Sequence, residues 1–370
     1  MRTSSSFLTS AVACIAIAAF AIGPSPASAA NYTWKTLSGT GNWTDSVNWS
    51  GTSATNTYPG SVGSGTADYA GIQAMYTSAP TINLDTSVTI RQLNVGGTTG
   101  SVTYPVTLST SNGSTLTMTA TTTSGTAVLA VNSAVSSGTN VITPDIIVNA
   151  ATWETRMASV TTGTVNALLT GNVSGGVAGS RTVRYTPNNT STTTAPSSLE
   201  FRGNITDGAG TVVLYYRCDM PNSTNTLRLS GTGNTFTGGL TYLGGKSSIL
   251  ESSPVSGTNG ALGTGLLTVG ASGSNATLNL GGSLSTVTEV CGISIRSPGT
   301  VAKRIAVIGA GSRILSGAMD QSASAGLTLA CESSGSLTFS NAITGNGPVT
   351  VNSTGSGKVI FTGNSSTYSG

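Results

Sequence analysis

The chain has 370 residues, of which 49 are Gly, only 7% are charged and none is His. The absence of histidine excludes Ser-His-Asp and Cys-His catalysis, histidine zinc sites and haem–histidine ligation. The 15 Lys and Arg residues against 12 Asp and Glu residues give a net charge of +3, which is too small for a nucleic-acid-binding face. Ser and Thr make up 116 residues, and a chain rich in Thr, Val, Gly and Asn favours β-strands and turns over helices.

Residues 1–29 have the features of a secretory signal peptide. Arg2 gives a positive start, Phe7–Ile22 is apolar, and Ala27-Ser28-Ala29 offers small residues for cleavage before Ala30. The apolar stretch is shorter than the roughly 20 residues that a bilayer requires, which favours a signal peptide over an anchor. No later stretch has about 18 apolar residues in a row, so we predict an exported mature chain without a transmembrane helix.

Residues 30–85 form a predicted N-terminal cap region with a tryptophan motif. Trp34, Trp43 and Trp49 cluster here, and the last two each follow an Asn. The first turn of a solenoid exposes core and strand edge, so we interpret the aromatic cluster as a cap. The alternative is a carbohydrate-binding module in which Trp34, Trp43 and Trp49 stack on sugar rings.

Residues 86–370 carry the pattern of short β-strands. Runs of four to nine residues alternate Val, Ile, Leu or Thr with small polar residues, and Gly, Asn or Ser brackets most of them. No stretch of about 11 residues has convincing helical periodicity, and Ala151–Met157 comes nearest. The predicted strands include Ser87–Val95, Ser114–Thr119, Ala127–Val131, Ala276–Leu280, Ile305–Ile308, Gly326–Ala330, Gly335–Phe339, Pro348–Val351 and Lys358–Phe361.

An all-β chain of this length can protect its strand edges as a sandwich, a propeller or a solenoid. Gly and Asn recur directly after apolar runs, as in Leu169–Val173, and this spacing is typical of a solenoid that turns sharply between strands. We therefore predict a parallel β-solenoid. With about 20 residues per turn and about 4.8 Å between turns, it would have about 17 turns and a length of roughly 80 Å.

Three cysteines remain once the signal peptide is removed: Cys218, Cys291 and Cys331. We expect them to be small buried residues with free thiols. In the predicted solenoid Cys291 and Cys331 lie about two turns apart, beyond the roughly 7 Å Cα separation that a disulfide tolerates. No Cys-x-x-Cys spacing is present, and we predict neither a metal site nor a cofactor.

Internal repeats are the strongest feature of the sequence. Leu227–Gly238 and Val359–Gly370 share the order apolar-x-apolar, Ser or Thr, Gly, four residues, aromatic, Ser or Thr, Gly. The alignment pairs Gly231 with Gly363, Phe236 with Tyr368, and Gly238 with Gly370. A lead-in recurs at 203–206 and 341–344, and the first copy continues through Gly239 into Ala261–Val269.

This pattern resembles the autotransporter-associated β-strand repeat, with 203–282 and a truncated 341–370 as the best copies. The resemblance implies structural roles in the repeat for Gly231, Asn234, Phe236, Gly238, Gly239, Gly263, Gly265, Gly363, Tyr368 and Gly370. It also implies a right-handed parallel β-helix, displayed or secreted by a Gram-negative-type bacterium as the passenger of a larger parent protein. On this expectation the chain is an N-terminal fragment whose anchor lies further along.

Catalytic candidates come from the charged residues between 181 and 228. Arg217, Asp219 and Glu200 are the candidates for a polysaccharide lyase or hydrolase built on a parallel β-helix. We prefer the interpretation that these charges pair between neighbouring turns, each pair contributing well under about 1 kcal/mol. No Asp-rich calcium loop is present.

The sequence thus predicts a non-enzymatic, exported β-helical protein that acts as a surface stalk or adhesin. The polysaccharide-degrading enzyme and the carbohydrate-binding module are the alternatives. The expected location is the cell surface, the outer membrane or the extracellular space. Extracellular glycans, other cell-surface components and further copies of the chain are the expected partners.

Overall fold

The computed structural model describes residues 30–370 except for positions 37, 52–57, 62–67, 74–75, 98–103, 123, 133–137, 159–163, 189–195, 219–224, 246–247, 271–274, 297–300, 302, 323–325 and 365–366. The predicted signal peptide therefore lies outside the described residues. Within the described part of the chain, no helical segment has the length and hydrophobicity that a bilayer crossing requires.

Almost all regular structure is β-strand, and the strands are short. The first eighteen are β1 (Asn31–Trp34), β2 (Thr40–Asn42), β3 (Trp49–Gly51), β4 (Tyr69–Ile72), β5 (Thr81–Asn83), β6 (Val88–Ile90), β7 (Gln92–Val95), β8 (Thr107–Ser109), β9 (Leu116–Met118), β10 (Thr126–Val131), β11 (Asn140–Ile142), β12 (Ile146–Val148), β13 (Thr152–Ala158), β14 (Val165–Leu169), β15 (Val173–Gly175), β16 (Ser180–Asn188), β17 (Ser197–Phe201) and β18 (Ile205–Gly208).

The chain continues with β19 (Thr211–Arg217), β20 (Asn225–Leu229), β21 (Leu240–Gly244), β22 (Ser248–Ser252), β23 (Leu267–Val269), β24 (Ala276–Leu280), β25 (Thr286–Glu289), β26 (Ile293–Ile295), β27 (Lys303–Val307), β28 (Ser312–Leu315), β29 (Met319–Gln321), β30 (Leu327–Cys331), β31 (Ser336–Phe339), β32 (Ile343–Thr344), β33 (Val349–Val351) and β34 (Lys358–Phe361). Among the described residues, Ser46–Asn48 forms the single helical element, a 3-10 turn.

These strands stack into a parallel β-solenoid with three sides, which confirms the predicted fold class. The first sheet has thirteen strands in the order β3-β1-β4-β7-β10-β13-β16-β19-β21-β23-β26-β29-β32. The second sheet has twelve, in the order β2-β5-β8-β11-β14-β17-β20-β22-β24-β27-β30-β33. The third side holds a five-stranded third sheet, β18-β15-β12-β9-β6, and a four-stranded fourth sheet, β25-β28-β31-β34.

Each turn of the solenoid visits the sides in the same order. The chain leaves the second sheet at β14, crosses the third side at β15 and enters the first sheet at β16. In the first and second sheets, strands pair in parallel with the strand one turn later, as Leu199 does with Leu227. The one antiparallel pair among the described strands joins β1 to β3 and covers the first edge of the first sheet.

The turns are longer and fewer than the sequence predicted. Their length also varies, because Val351 pairs with Leu329 at one end of the chain, whereas Val141 pairs with the more distant Thr107. Even the short turn from Leu329 to Val351 carries β31 and β32 on the other two sides, so the longer turns place their additional residues in longer strands or connections. Twelve strands at about 4.8 Å give a rod of about 55 Å, not roughly 80 Å.

Alternating burial explains why these runs become strands. In β14, Val165, Ala167 and Leu169 point into the core, while Asn166 and Leu168 point outward. The inward residues of successive turns lie in register and merge into one apolar core that extends from the first strand to the last turns. Burial of this continuous core is the main source of stability for such a stack.

The structure refines the predicted strand pattern in three places. Ala151–Met157, which came nearest to helical periodicity in a sequence with no predicted helix, lies in β13 and the turn before it and stacks between β10 and β16. The run Ser87–Val95 is two strands, β6 and β7, which lie on different sides and are separated at Arg91. Solenoid pairing also begins before residue 86, because β4 and β5 already pair with β7 and β8.

The three remaining cysteines are buried, and no disulfide joins any two of them. Cys291 lies just after β25, where the third side meets the first sheet, while Cys331 ends β30 in the second sheet. The two residues therefore occupy different sides of the rod.

Glycines at one corner allow successive turns to approach closely. Gly171, Gly203 and Gly231 each follow a strand of the second sheet, one turn apart. A Cβ added to Gly203 would lie 2.0 Å from the carbonyl oxygen of Gly171, and one added to Gly231 would lie 2.5 Å from that of Gly203. Only glycine fits at these corners unless the stacked backbones separate.

We predict that Gly203→Ala destabilises the solenoid by about 1–3 kcal/mol, because the new methyl group overlaps a backbone carbonyl that cannot move alone. The matched control is Gly326→Ala, where the nearest atom to the new Cβ lies 3.9 Å away. Chemical denaturation followed by circular dichroism measures both. Equal unfolding midpoints for the two variants would show that the corner accommodates a methyl group at position 203 without loss of stability.

Candidate functional site

The catalytic candidate Glu200 lies in a row of paired charges on the outer face of the second sheet. Its carboxylate contacts Arg202 at 3.0 Å and Arg228 at 3.8 Å, and it accepts a hydrogen bond from Ser230. Arg228 in turn contacts Glu251 of the next turn at 3.0 Å. This arrangement places opposite charges on successive strands.

The structure does not bring Arg217, the second catalytic candidate, together with Glu200. Arg217 is exposed at the end of β19 in the first sheet, whereas Glu200 belongs to the second sheet. Asp219 lies outside the described residues. Within the described segments, no group of three or more Cys, Asp or Glu residues is placed to hold a metal ion.

Trp34, Trp43 and Trp49 pack against one another inside the first turn. Their exposed fractions are 1%, 0% and 4%, and the ring centroid of Trp49 lies 5.0 Å from that of Trp34 and 4.9 Å from that of Trp43. The indole nitrogen of Trp43 donates to the carbonyl of Pro59, and that of Trp49 donates to the carbonyl of Trp43. The three indole rings are therefore covered by protein in the first turn of the core.

The first repeat copy occupies a gap on the third side of the rod. After β20 and again after β22, the chain crosses this side without forming a regular strand, through residues 231–239 and 253–266. These two crossings separate the third sheet from the fourth. The repeat residues that the sequence singled out lie at this junction.

Asn234 and Phe236 replace the strand pairing that the junction lacks. The Asn234 side chain accepts a hydrogen bond from the Ile205 amide at 2.6 Å and donates one to the Ala261 carbonyl at 2.7 Å. It thereby joins the turn before it to the turn after it. Phe236 is completely buried, and a Cβ on Gly263 would lie 2.6 Å from its ring.

The remaining glycines of the first copy permit close backbone contact between the two crossings. Gly239 has a φ of +82°, which L side chains rarely adopt. A Cβ on Gly265 would lie 2.4 Å from the Gly239 nitrogen, and one on Gly238 would lie 2.4 Å from the Val212 carbonyl oxygen. The structure thus brings together Gly231, Asn234, Phe236, Gly238, Gly239, Gly263 and Gly265 at one junction.

The second copy lies elsewhere in the turn. Gly231 follows a strand of the second sheet, but its aligned partner Gly363 follows β34 of the fourth sheet. Tyr368 pairs with Gly345 and donates a hydrogen bond to the Gly347 carbonyl at 2.8 Å, and Gly370 packs beside it. The two copies share the same local corner, a strand followed by a glycine, at positions one side apart.

Sequence reasoning missed a buried carboxylate beside the junction. Glu289 is 1% exposed and accepts hydrogen bonds from the Ser252 hydroxyl and from the Ala261 and Leu262 amides. Burial raises the pKa of the Glu289 carboxyl above its ordinary value, while these hydrogen bonds act in the opposite direction. Glu289 ends β25 two residues after the buried Val287, so strand alternation places it inward, but a carboxylate is not one of the apolar residues by which core-facing positions are predicted.

Arg313 is the buried cation of the following turn. Its guanidinium donates to the carbonyl oxygens of Gly281, Leu284 and Ser312. Burial lowers the pKa of Arg313, and the nearby Glu289 charge raises it. The Glu289 carboxyl and the Arg313 guanidinium thus form hydrogen bonds with backbone groups at corners that lack strand pairing.

Two grooves lie on the outer faces of the rod. One, with a volume of about 380 Å³, crosses the third sheet and is lined by Thr115, Asp145, Ile147, Asn172, Ser174, Asn204 and Thr206. The other, of about 240 Å³, crosses the second sheet and is lined by Thr139, Asn166, Ala167, Leu168, Ser198, Glu200, Arg202 and Arg228. The first groove presents mostly hydroxyl and amide groups, and the second includes the row of paired charges.

Comparison of the chain with protein-family models, with curated proteins and with solved structures finds no significant match.

The buried position of Glu289 predicts a pH-dependent contribution to stability. Its raised folded-state pKa, against an ordinary value of 4.5, means that the folded state holds the proton more tightly than the unfolded chain. The resulting stabilisation is fully present below about pH 4.5 and is lost as the pH rises through the folded-state pKa. Because Gln does not titrate, wild type should lose stability relative to Glu289→Gln as the pH rises from about 4.5 through the folded-state pKa of Glu289.

Urea denaturation of both proteins from pH 4 to pH 8 measures this difference. The control is Glu332→Gln, because the Glu332 side chain is 47% exposed. A Glu289→Gln difference that stays constant over the whole range would contradict the assignment of a raised pKa to Glu289.

Proposed function

We propose that this protein is an exported, non-enzymatic rod that acts at the cell surface as a stalk or adhesin. The observation that carries the proposal is the uninterrupted stacking of twelve strands in the second sheet and of the parallel strands beside it. Such a stack is stiff along its axis, because the strands of the first and second sheets hydrogen-bond each turn to its neighbours.

The outer face of the rod suits weak contacts repeated along its length. Outward positions of the second sheet carry small polar residues on many turns, including Asn166, Ser198, Thr226, Thr277, Thr328 and Thr350. Identical spacing from turn to turn lets many weak contacts act together on a repetitive partner. Such multivalent contact is how a rod with few specific side chains would adhere.

Export is part of this proposal and rests on the signal-like residues 1–29. The sequence resemblance to the autotransporter-associated β-strand repeat supports display outside the cell, as does the solenoid itself. The arrangement of Asn234, Phe236 and Gly263 gives the repeat residues a structural role that agrees with a scaffold.

The test is the location of the protein in the cells that produce it. Antibodies raised against the purified chain should label intact cells or detect the protein in the culture medium. External protease should remove the cell-bound label without permeabilisation. A cytoplasmic marker protein that stays intact is the control, and confinement of this chain to the cytoplasmic fraction would overturn the proposal.

The adhesive role is tested separately in a strain that lacks the gene. Surface attachment or cell aggregation should fall several-fold and should return with the wild-type gene. Unchanged attachment in the deletion strain would contradict the adhesive role.

A further inference from the structure

The groove on the third sheet is built from aligned columns of side chains. Ile147, Ser174 and Thr206, which line the groove, occupy register-matched outward positions on β12, β15 and β18. Successive members of such a column are about 4.8 Å apart along the rod. The floor of the groove therefore repeats once per turn.

A second column holds the corner of the groove in a fixed geometry. Asp145 accepts hydrogen bonds from the backbone and side-chain nitrogens of Asn172, at 2.7 and 3.2 Å. The Asn172 side chain accepts from the Asn204 amide at 2.9 Å, and the Asn204 side chain accepts from the Gly233 amide at 2.8 Å. Each side chain is thus anchored by the next turn, which makes the groove preorganised for a ligand.

This anchoring leaves polar atoms free to bind something else. Within the described residues, the second carboxylate oxygen of Asp145 and the side-chain nitrogen of Asn204 make no hydrogen bond, and neither do the hydroxyls of Ser174 and Thr206. All four residues line the groove. Together they offer donors and acceptors on three successive turns.

The charge and chemistry of the lining limit the ligand. Asp145 is the only charged residue among those that line this groove, so an acidic polymer would meet repulsion without a compensating cation. Ile147 provides an apolar surface at the middle of the floor. Hydroxyl-rich rings with apolar C–H faces match this combination of hydroxyl, amide and aliphatic groups.

We propose that this groove binds a neutral linear polysaccharide, with the sugar chain lying along the rod across β12, β15 and β18. The regular spacing of the columns suits a polymer, because each further turn can contact a further unit. The inference deepens the proposed surface function by assigning a ligand class. A failed binding assay would leave the tests of export and attachment unaffected.

The experiment compares two double variants of the full chain. Ser174→Ala with Thr206→Val removes two free hydroxyls of the groove and keeps the Asp145–Asn172–Asn204 column intact. Thr241→Val with Thr268→Val is the matched control, because these residues are a register-matched outward pair on adjacent strands of the first sheet. Affinity electrophoresis in soluble linear β-glucan and sedimentation with amorphous cellulose measure retention, with polygalacturonate as the acidic counterpart.

We expect the wild-type chain to bind at least one neutral glucan and to bind polygalacturonate more weakly. The Ser174/Thr206 variant should raise the Kd by about tenfold, as expected for two lost hydrogen bonds. The Thr241/Thr268 variant should stay within about twofold of wild type, and all three proteins should melt within about 2 °C of one another. Absence of neutral-glucan binding, preference for polygalacturonate, or equal loss in both variants would overturn the proposal.

Discussion

Pairing between the backbones of successive turns is the interaction on which the rest of this molecule depends. Each strand must return in register above the strand one turn earlier, so every corner has to redirect the chain in the space left by its neighbours. At the corner formed by Gly171, Gly203 and Gly231, that space excludes even a methyl group. Where regular strands are missing, Asn234 and Glu289 take over the backbone hydrogen bonds that a strand would supply. The glycine and asparagine content of the chain is therefore a consequence of stacking.

Much of this fold can be predicted from the sequence, because apolar–polar alternation and Gly-rich corners are local signals. β24, β31 and β34 lie within one residue of the predicted runs. The number of turns could not be predicted in this way, because it depends on which strands share a side. Ser87–Val95 shows the difficulty, because this one alternating run forms β6 in the third sheet and β7 in the first sheet, with a bend at Arg91. The second repeat copy shows it again, because a similar corner sequence works equally well on another side of the rod.

The candidate binding face was the least predictable part, because it depends on three-dimensional columns and not on motifs. The Gly-Asn pairs at 171–172 and 203–204 were visible in the sequence as turn signals. Their partnership with Asp145 was hidden, since Pro144 precedes that residue where the later turns have glycine. The charged candidates around Glu200 stood out in a chain of low charge, yet the fold places them in a row of ion pairs. In a solenoid, a common polar residue such as Ser, Thr or Asn can contribute to a binding surface when similar residues occupy the same position on successive turns.

The stacking of turns is tested most directly by distances between spin labels placed on one outward column of the second sheet. Asn166, Thr277 and Thr350 belong to that column, and register pairing separates the first from the others by four and seven turns. Double electron–electron resonance on the 166/277 and 166/350 pairs should give distances of about 19 Å and about 34 Å, because each turn adds about 4.8 Å. Protein without the introduced cysteines corrects for labelling at the buried native thiols. The account predicts that the second distance exceeds the first by three turn spacings, and two equal distances would contradict the stacked solenoid.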